Sequence, residues 1–354
     1  MLCALPTVSF DRGAATSIGD WCGTEAVAAV HAPQANGDQA RRLFMLEGLV
    51  PPTTVSALLE AARDGMRFEA ELDTVDASAT HLALIIKDGE AVDGRLATLL
   101  EPLIKERVLP YVRERYGCAS CMVADALVRR YLPDERQSLS RHFDVSAFAT
   151  AIMPLNPGEY RGGLYVQGAP SVDSRKFVEF GAGDMLFHQF DVMHGVQVDA
   201  GERYSLVMWF TDSEASMAAG HAPWVLEAAE HGNSDAQFVL AGFYYRGEFG
   251  VARDLGEAAR WFKQSASAGH PLAQEWMATL HAYGEGVPLD YAKAAEYWRA
   301  AAEQEHASSQ ASLAYAYQCG IVSSARSEPR TCLIYSTGGI ATECTAIHSV
   351  HCCP

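Results

Sequence analysis

The residues of this 354-residue chain with the clearest chemical potential are two histidines and an aspartate. His142 and Asp144 are separated by one residue, and His194 follows 50 residues after Asp144. Two imidazoles and one carboxylate form the ligand set that holds non-haem Fe(II) on one face and leaves the other positions open. Because side chains alternate along a strand, we expect His142 and Asp144 to point the same way from one extended segment. His194 must then come from a different strand.

Arg203 is the candidate anion-binding residue. It lies nine residues after His194 and begins an apolar, β-branched run that predicts a strand. A guanidinium at the entry of a buried strand is suited to hold a carboxylate through two parallel hydrogen bonds. An iron site beside an anion clamp favours a 2-oxoglutarate-dependent oxygenase. His188 is an alternative third ligand, but it is 15 residues from Arg203, so we interpret it as a pocket-rim or structural histidine.

The segments around these residues resemble the catalytic domain of prolyl 4-hydroxylase-type 2-oxoglutarate/Fe(II) oxygenases. The matching motifs are Arg130-Tyr131, the metal pair, Thr150 to Asn156, Gly162 to Tyr165, Gly183 to Phe187, and His194 to Trp209. The resemblance implies a double-stranded β-helix, a jelly roll, in which His142, Asp144 and His194 bind the iron and carry catalysis.

The same resemblance implies roles for neighbouring residues. Arg203 would bind the distal carboxylate of 2-oxoglutarate, Tyr131 would assist it through its hydroxyl, and Trp209 would form a pocket wall. The implied cofactors are Fe(II), 2-oxoglutarate and O2, and an ascorbate requirement is left open. Pro154 departs from the pattern, since many members have a tyrosine there. The proline removes a hydroxyl contact to the cosubstrate and a backbone donor.

The elements that must position these residues follow from hydrophobic periodicity. Helices predicted over residues 52–62 and 93–116 are expected to brace a sheet, and Pro102 and Pro110 are expected to break or kink the second one. Short apolar or alternating segments between Gly, Pro and Asp turns are typical of the strands of a two-sheet jelly roll. These strands are predicted at residues 124–131, 147–155, 163–167, 175–180, 185–187, 195–198 and 204–211.

A repeat with a period of 36 residues begins after Asp212, since Asp254 to Phe262 recurs as Asp290 to Trp298. Its alanines allow close helix packing, and its aromatic residues are interpreted as core rather than as a cofactor site. These segments resemble Sel-like repeats, relatives of the tetratricopeptide repeat. The pattern predicts a short α-solenoid of helix-turn-helix repeats, with two complete units, a leading half-unit at residues 224–229 and a truncated third unit ending near Gly320.

The chain is therefore predicted to be multidomain, with an α+β part followed by an all-α part. We expect a flexible N-terminal segment over residues 1–40 and an oxygenase domain over residues 41–213. Helical repeats are expected over residues 222–320, and a disordered tail over residues 321–354.

Composition excludes some functions. The 27 basic and 44 acidic residues give a net charge of −17, which argues against binding nucleic acid or anionic membrane. No stretch approaches the roughly 18 apolar residues of a membrane span, and the N-terminus is a poor secretory signal.

The pair Cys118 and Cys121 is interpreted as structural thiols. These features favour a reducing, cytoplasmic location.

Three functional hypotheses follow. The first is a peptidyl-prolyl hydroxylase whose repeats recruit a protein partner or substrate protein. The second is an oxygenase of the same chemistry that acts on another residue or on a small molecule. The third is an inactive adaptor that uses the repeats, and the intact set of metal-binding residues with Arg203 argues against it.

Overall fold

The computed structural model of the chain describes residues 43–72, 78–169 and 172–318, together with short strands at Thr7–Val8, Val27–Ala29, Cys332–Leu333 and His351–Cys352. Apart from those strands, the predicted flexible segment (1–40) and disordered tail (321–354) lie outside the described residues. The chain divides into two compact units, the first extending to Trp224 except for Ala169–Ser171. The domain limits of 41–213 and 222–320 stay predictions.

The first unit contains the strands and the bracing helices. Its strands are β1 Leu43–Leu46, β2 Glu69–Leu72, β3 Ala79–Lys87, β4 Glu90–Ala91, β5 Met122–Tyr131, β6 Ser138–His142, β7 Ala149–Pro154, β8 Tyr160–Gln167, β9 Arg175–Val178, β10 Met185–Gln189, β11 His194–Gly201 and β12 Arg203–Thr211. Its helices are α1 Pro52–Asp64, α2 Gly94–Leu103, α3 Leu109–Arg115 and α4 Glu214–Ala219, with a 3-10 turn at Val172–Ser174.

The strands form two sheets. The larger sheet has the order Val27–Ala29, β1, β10, β7, β12, β5, β3, β2, with β4 paired to β3. The smaller sheet has the order Thr7–Val8, β9, β8, β11, β6. From β5 to β12 the chain passes repeatedly from one sheet to the other, and the pairs among these strands are antiparallel. The predicted sheet-rich, two-sheet architecture is confirmed.

Two apolar cores explain why the larger sheet is buried on both faces. One core joins its inner face to the smaller sheet through residues such as Ile152, Leu186 and Val196. The other joins its outer face to α1, α2 and α3 through residues such as Phe187 and Leu206. Side chains of one strand alternate between the two cores. The helices therefore brace the sheet, as predicted.

The second predicted helix forms as two α-helices, α2 and α3, joined without a break by one π-helical turn. The π-helical turn Ile104–Val108 joins α2 to α3, and Pro102 lies within α2. A proline has no N–H for the helical ladder, and such a local change of helix type is an established way to accommodate it. Pro110 directly follows the π-helical turn, so its missing N–H falls where the hydrogen-bond pattern of the helical path already changes.

The structure differs from prediction in several strands and in one cysteine pair. Strands β1, β2, β3, β4 and β6 were not predicted. Strand β2 is exposed along its whole length and β6 carries mainly polar residues, whereas β3 was missed although it is largely apolar. The interpretation of Cys118 and Cys121 as thiols is wrong, since they form a disulfide in the turn between α3 and β5. That turn brings their Cα atoms to 5.4 Å, within the range a disulfide requires.

The second unit consists of the predicted helical repeats. Its helices are α5 Pro223–Glu230, which begins at the boundary, α6 Ser234–Arg246, α7 Leu255–Ser267, α8 Pro271–Tyr283, α9 Tyr291–Ala302 and α10 Ala307–Gln318. Asp254 and Asp290 cap α7 and α9 with their carboxylates, as N-cap residues do. Trp261, Phe262 and Trp298 are buried, so the aromatic stripe is core. Among the described residues, the longest apolar helices fall short of a bilayer-spanning segment.

Candidate metal centre

The smaller sheet brings the two candidate histidine ligands together. His142 ends β6, His194 begins β11, and the two residues are direct partners in the register of these strands. Their ring centroids are 4.4 Å apart. Asp144 lies in the turn that follows β6, rather than within the strand as expected. The turn nevertheless directs its carboxylate to the same place as the two imidazoles.

Hydrogen bonds to the main chain orient both imidazoles. Nδ1 of His142 is 2.8 Å from the carbonyl oxygen of Ser140, and Nδ1 of His194 is 2.9 Å from that of Val192. Because a carbonyl oxygen can only accept, Nδ1 carries the hydrogen in each ring and Nε2 keeps its lone pair for a metal. One ligand atom from each of His142, Asp144 and His194 lies within 4.8 Å of the others. This donor set fits a divalent transition metal.

The two oxygens of Asp144 have different environments. Oδ2 accepts hydrogen bonds from Thr150 Oγ1 at 2.6 Å and from Trp209 Nε1 at 3.3 Å. Oδ1 lies 3.3 Å from Nε2 of His142. Trp209 thus contacts a candidate ligand directly, beyond forming the pocket wall that was predicted for it. Thr150 was not predicted as a site residue, although it lies within a matching motif.

His188 lies deep in the site. The side chain is fully buried on β10, and its ring centroid is 4.3 Å from that of His194. Nδ1 is 2.9 Å from the carbonyl oxygen of Gln189, and Nε2 is 3.7 Å from Asp144 Oδ2. Among the described residues, that Nε2 atom has no hydrogen-bond partner. Of the two predicted roles for His188, burial excludes the pocket rim and leaves the structural histidine, because inward-facing residues of a strand between two apolar layers are buried.

Arg203 is buried, and two of the three nitrogens of its guanidinium group have no hydrogen-bond partner among the described residues. The residue pairs with Tyr131 across β12 and β5, and its Nη1 donates to Ser205 Oγ at 2.8 Å. Nε and Nη2 are buried and have no partner among the described residues. The guanidinium carbon lies 5.6 Å from the ring of Tyr131 and 5.7 Å from the ring of Tyr160. Ser205 and Tyr160 were not predicted. Ser205 meets Arg203 through alternation along β12, and the pairing of Tyr160 with Gly201 brings Tyr160 close to Arg203.

One cavity connects these groups. The polar residues His142, Asp144, His194 and Arg203 line it, together with Tyr131. Its apolar walls come from both sheets and include Leu139, Ile152, Leu164, Val196 and Val207. The structure therefore brings every predicted site residue to the same cavity.

Burial sets the ionisation of the cluster. Burial acts to raise the pKa of Asp144, but His194 and His142 outweigh it and hold that pKa well below its ordinary value. Burial, reinforced by His188, holds the pKa of His194 well below its ordinary value although Asp144 opposes the shift. Burial also lowers the pKa of His188. At neutral pH the carboxylate of Asp144 therefore faces neutral imidazoles at His188 and His194, and a carboxylate and a neutral imidazole are the protonation states that bind metals.

The repeats match a known family. The family model described as Sel1 repeat matches residues 234–270, 271–306 and 307–329, so this part of the chain consists of Sel1 repeats. The third match extends past the end near Gly320 that the repeat pattern predicts. Chitin synthase regulatory factor 3 of Schizosaccharomyces pombe is 30% identical over 92 residues, 26% of this chain and 10% of that protein. The chain thus spans about a tenth of the length of the curated relative that it matches.

Solved structures similar to parts of the chain include oxygenases and a repeat protein. A 2OG-Fe(II) oxygenase family oxidoreductase from Burkholderia pseudomallei is 18% identical and covers 45% of this chain and 79% of that chain, with a TM-score of 0.37. A Pseudomonas putida prolyl-4-hydroxylase is 21% identical over 48% of this chain and 92% of its own, with a TM-score of 0.35. A Sel1 repeat protein from Oxalobacter formigenes is 32% identical over 29% of this chain and 73% of its own, with a TM-score of 0.26.

The lowered pKa values of His188 and His194 predict that acid destabilises the metal-free protein. In the unfolded chain both histidines take up protons below about pH 6.5, whereas the folded state resists protonation. The unfolded state therefore binds more protons, and the free energy of unfolding falls as the pH drops below about 6.5. Urea unfolding at about pH 7.5 and about pH 5.5 measures this change.

The His194→Gln variant should show a shallower pH dependence, because one of the shifted groups is gone. His221→Gln is the matched control, since His221 is exposed. An equal pH dependence in wild type and His194→Gln would contradict the assignment.

Proposed function

We propose that the first unit is a 2-oxoglutarate- and Fe(II)-dependent dioxygenase that hydroxylates a protein substrate at prolyl residues. The observation that carries the proposal is one cavity that holds both the His142, Asp144 and His194 cluster and the unpaired, buried guanidinium of Arg203. The prolyl specificity is supported by the motif resemblance between residues 128 and 212. The cavity itself supports the oxygenase chemistry.

His142, Asp144 and His194 would hold the iron. Their ligand atoms converge from a strand end, a turn and a strand start, so a bound ion would be held from one side with its other positions open. When bound, iron supplies the oxidation in which substrate, 2-oxoglutarate and O2 give hydroxylated product, succinate and CO2. The imidazole hydrogen bonds to Ser140 and Val192 keep both rings in the orientation that ligation requires.

Arg203 would bind the carboxylate of 2-oxoglutarate that is remote from the iron. Nη1 is held by Ser205, which leaves Nε and Nη2, the two nitrogens that form the side-on fork of arginine. Arg130 shows this geometry in the same chain, since its Nε and Nη2 bind the two oxygens of Glu135 at 3.1 and 2.6 Å. A buried cation without a counterion is costly, so a dicarboxylate ligand complements this cavity.

The rest of the cavity would exclude water. Leu139, Ile152, Leu164 and Val196 surround the polar groups with aliphatic side chains from both sheets. Water exclusion protects a reactive oxidant from unproductive side reactions and strengthens the ion pair of Arg203 with a carboxylate. No side chain is needed as a general base, because the substrate loses a hydrogen atom rather than a proton.

The first prediction of this proposal concerns turnover. The purified protein should convert 2-oxoglutarate to succinate only when Fe(II) is supplied, and His142→Ala or Asp144→Ala should abolish the conversion because each removes a ligand. Succinate release is measured by mass spectrometry, with His221→Ala as the control that removes an exposed imidazole. Unchanged turnover in both ligand variants would refute the site. A search of peptide pools and of small-molecule pools for a product heavier by one oxygen atom then distinguishes the alternatives. A hydroxylated prolyl peptide would support prolyl hydroxylation, and a product on another residue or a small molecule would support the second hypothesis.

The second prediction concerns the cosubstrate. Arg203→Lys should weaken 2-oxoglutarate binding by about tenfold or more, because a point charge replaces a planar fork and charged hydrogen bonds contribute about 1.5–3 kcal/mol each. Calorimetric titration with 2-oxoglutarate in the presence of Mn(II) measures the affinity without turnover. Arg161→Lys is the matched control, since Arg161 is exposed. Equal affinities in the two variants would remove Arg203 from its assigned role.

The repeats would recruit a protein partner or the substrate protein. Residues of α7, α8 and α9 line a groove of about 820 Å³ in the second unit. Arg260, Lys263 and Lys293 lie along it, and Glu296 is the acidic residue among those lining it. Arg260 is paired with Glu257 and Lys293 with Asp290, so Lys263 is the lining cation that has no ion pair among the described residues. The ammonium group of Lys263 would attract a carboxylate of an acidic partner segment.

Partner binding should therefore depend on the charge of this groove. The full chain should bind an acidic peptide, and Lys263→Glu should weaken that binding by about threefold or more, with a further loss at high salt. Fluorescence anisotropy of a labelled Glu-rich peptide measures the effect. Arg299→Glu is the control, because Arg299 is exposed and does not line the groove. Equal binding by wild type and both variants would argue against this surface.

A further inference from the structure

Three register partners on adjacent strands of the larger sheet form a row of side chains beside Asp144. Thr150 on β7 is the register partner of His188 on β10 and also of Trp209 on β12. The three residues therefore stand side by side on adjacent strands, and on a pleated sheet such partners project from the same face. That face is the inner one, where Thr150 and His188 are completely buried.

The polar atoms of this row meet at one oxygen. Thr150 Oγ1 donates to Asp144 Oδ2 at 2.6 Å, Trp209 Nε1 donates to it at 3.3 Å, and His188 Nε2 lies 3.7 Å from it. Oδ2 also lies 3.7 Å from Nε2 of His194, whereas Oδ1 lies closer to a candidate ligand atom, 3.3 Å from Nε2 of His142. The carboxylate therefore has Oδ2 held by two hydrogen bonds from the larger sheet, and Oδ1, which accepts neither of them, directed at a histidine of the smaller sheet.

We propose that Thr150 and Trp209, with His188 packed beside them, form a positioning row in which the two donors hold Asp144 Oδ2 and leave Oδ1 for the metal, so that Asp144 is a one-oxygen ligand. This inference rests on the proposed metal site and adds the residues that set its coordination number. A carboxylate with a free Oδ2 can rotate and bind a metal through both oxygens, which uses a coordination position. With Oδ2 held, that position stays open for cosubstrate or O2.

In this row His188 has a packing role and is not a metal ligand. Its Nε2 approaches Oδ2, the oxygen directed away from His142, and its ring lies against His194. The cluster of ligand atoms within 4.8 Å of one another comprises His142, Asp144 and His194. His188 thus closes the space behind the carboxylate, so that Asp144 cannot swing toward β10.

Metal binding without turnover tests the row. Thr150→Val removes the hydroxyl at nearly constant volume, and Co(II) affinity of the full chain, measured by calorimetry without 2-oxoglutarate, should fall by about tenfold to a hundredfold. The visible spectrum of bound Co(II) should change as well, because it reports coordination number. Thr150→Ser restores the hydroxyl and should restore both. Thr211→Val is the matched control, since Thr211 is also buried but donates to Ser213 outside the site.

A second pair of variants keeps the test decisive. Trp209→Phe removes the other donor while keeping a ring, and it should lower Co(II) affinity even if Thr150→Val does not fold. In His188→Phe, X-ray absorption of bound Co(II) should still count two imidazole ligands, as in wild type. Three imidazoles in wild type and two in the variant would show that His188 is a ligand and overturn the inference.

The outcomes separate this inference from the proposed function. If wild type binds Co(II) while Thr150→Val and Trp209→Phe bind it with unchanged affinity and spectrum, the row has no positioning role and the metal site stands. If wild type does not bind Co(II), the proposed metal site fails and the inference fails with it.

Discussion

The burial of the Asp144 carboxylate is the constraint on which the rest of the first unit depends. A charged group removed from water is tolerated when hydrogen bonds and opposite charge compensate it. Thr150 and Trp209 supply hydrogen bonds to one oxygen, and the nearby histidines help to hold the pKa of Asp144 well below its ordinary value. A divalent cation between Asp144, His142 and His194 would complete the compensation.

Strand β12 links the stability of the unit to its chemistry. Arg203, Ser205 and Trp209 face the cavity, whereas Leu206 and Met208 between them pack into the core beneath the helices. The same main chain therefore sets the position of the guanidinium and of the indole that binds Asp144. Among the described residues, α1, α2 and α3 contribute none to the lining of the cavity, but by fixing the outer face of β12 they fix the inner one.

Residue types and spacing were sufficient to predict the candidate ligands and the cosubstrate-binding residues. They were insufficient to predict the residues that contact and orient them. His142, Asp144, His194, Arg203 and Tyr131 stand out because their chemistry is unusual for the strands that carry them. Thr150 and Tyr160 are ordinary strand residues whose contacts arise when distant segments pair, whereas Ser205 lies two residues after Arg203 and meets it through alternation along one strand. Strand register depends on the whole sheet and cannot be read from a single segment. His188 was predicted as a pocket-rim or structural histidine, and its complete burial leaves the structural role.

The secondary structure was also predicted only in part, with several helices predicted and several strands missed. Helix α1 was predictable because hydrophobic periodicity is a local signal, and α7 and α9 were predictable because the same segment recurs after 36 residues. Strands β2 and β6 were missed because they have little apolar content, and their strand conformation comes from neighbouring strands. Asp144 was expected in a strand because alternation is the simplest way to bring two side chains to one side, yet a turn after β6 serves equally well.

The direct pairing of His142 with His194 has a mechanical consequence. Strand β6 ends the order of the smaller sheet, so it is the edge most prone to fraying. An ion shared by these two residues would act as a reversible cross-link that closes the long chain segment between them. Iron loading would then double as a local folding step, and starvation for iron would expose the edge to proteases before the remainder of the sheet opens.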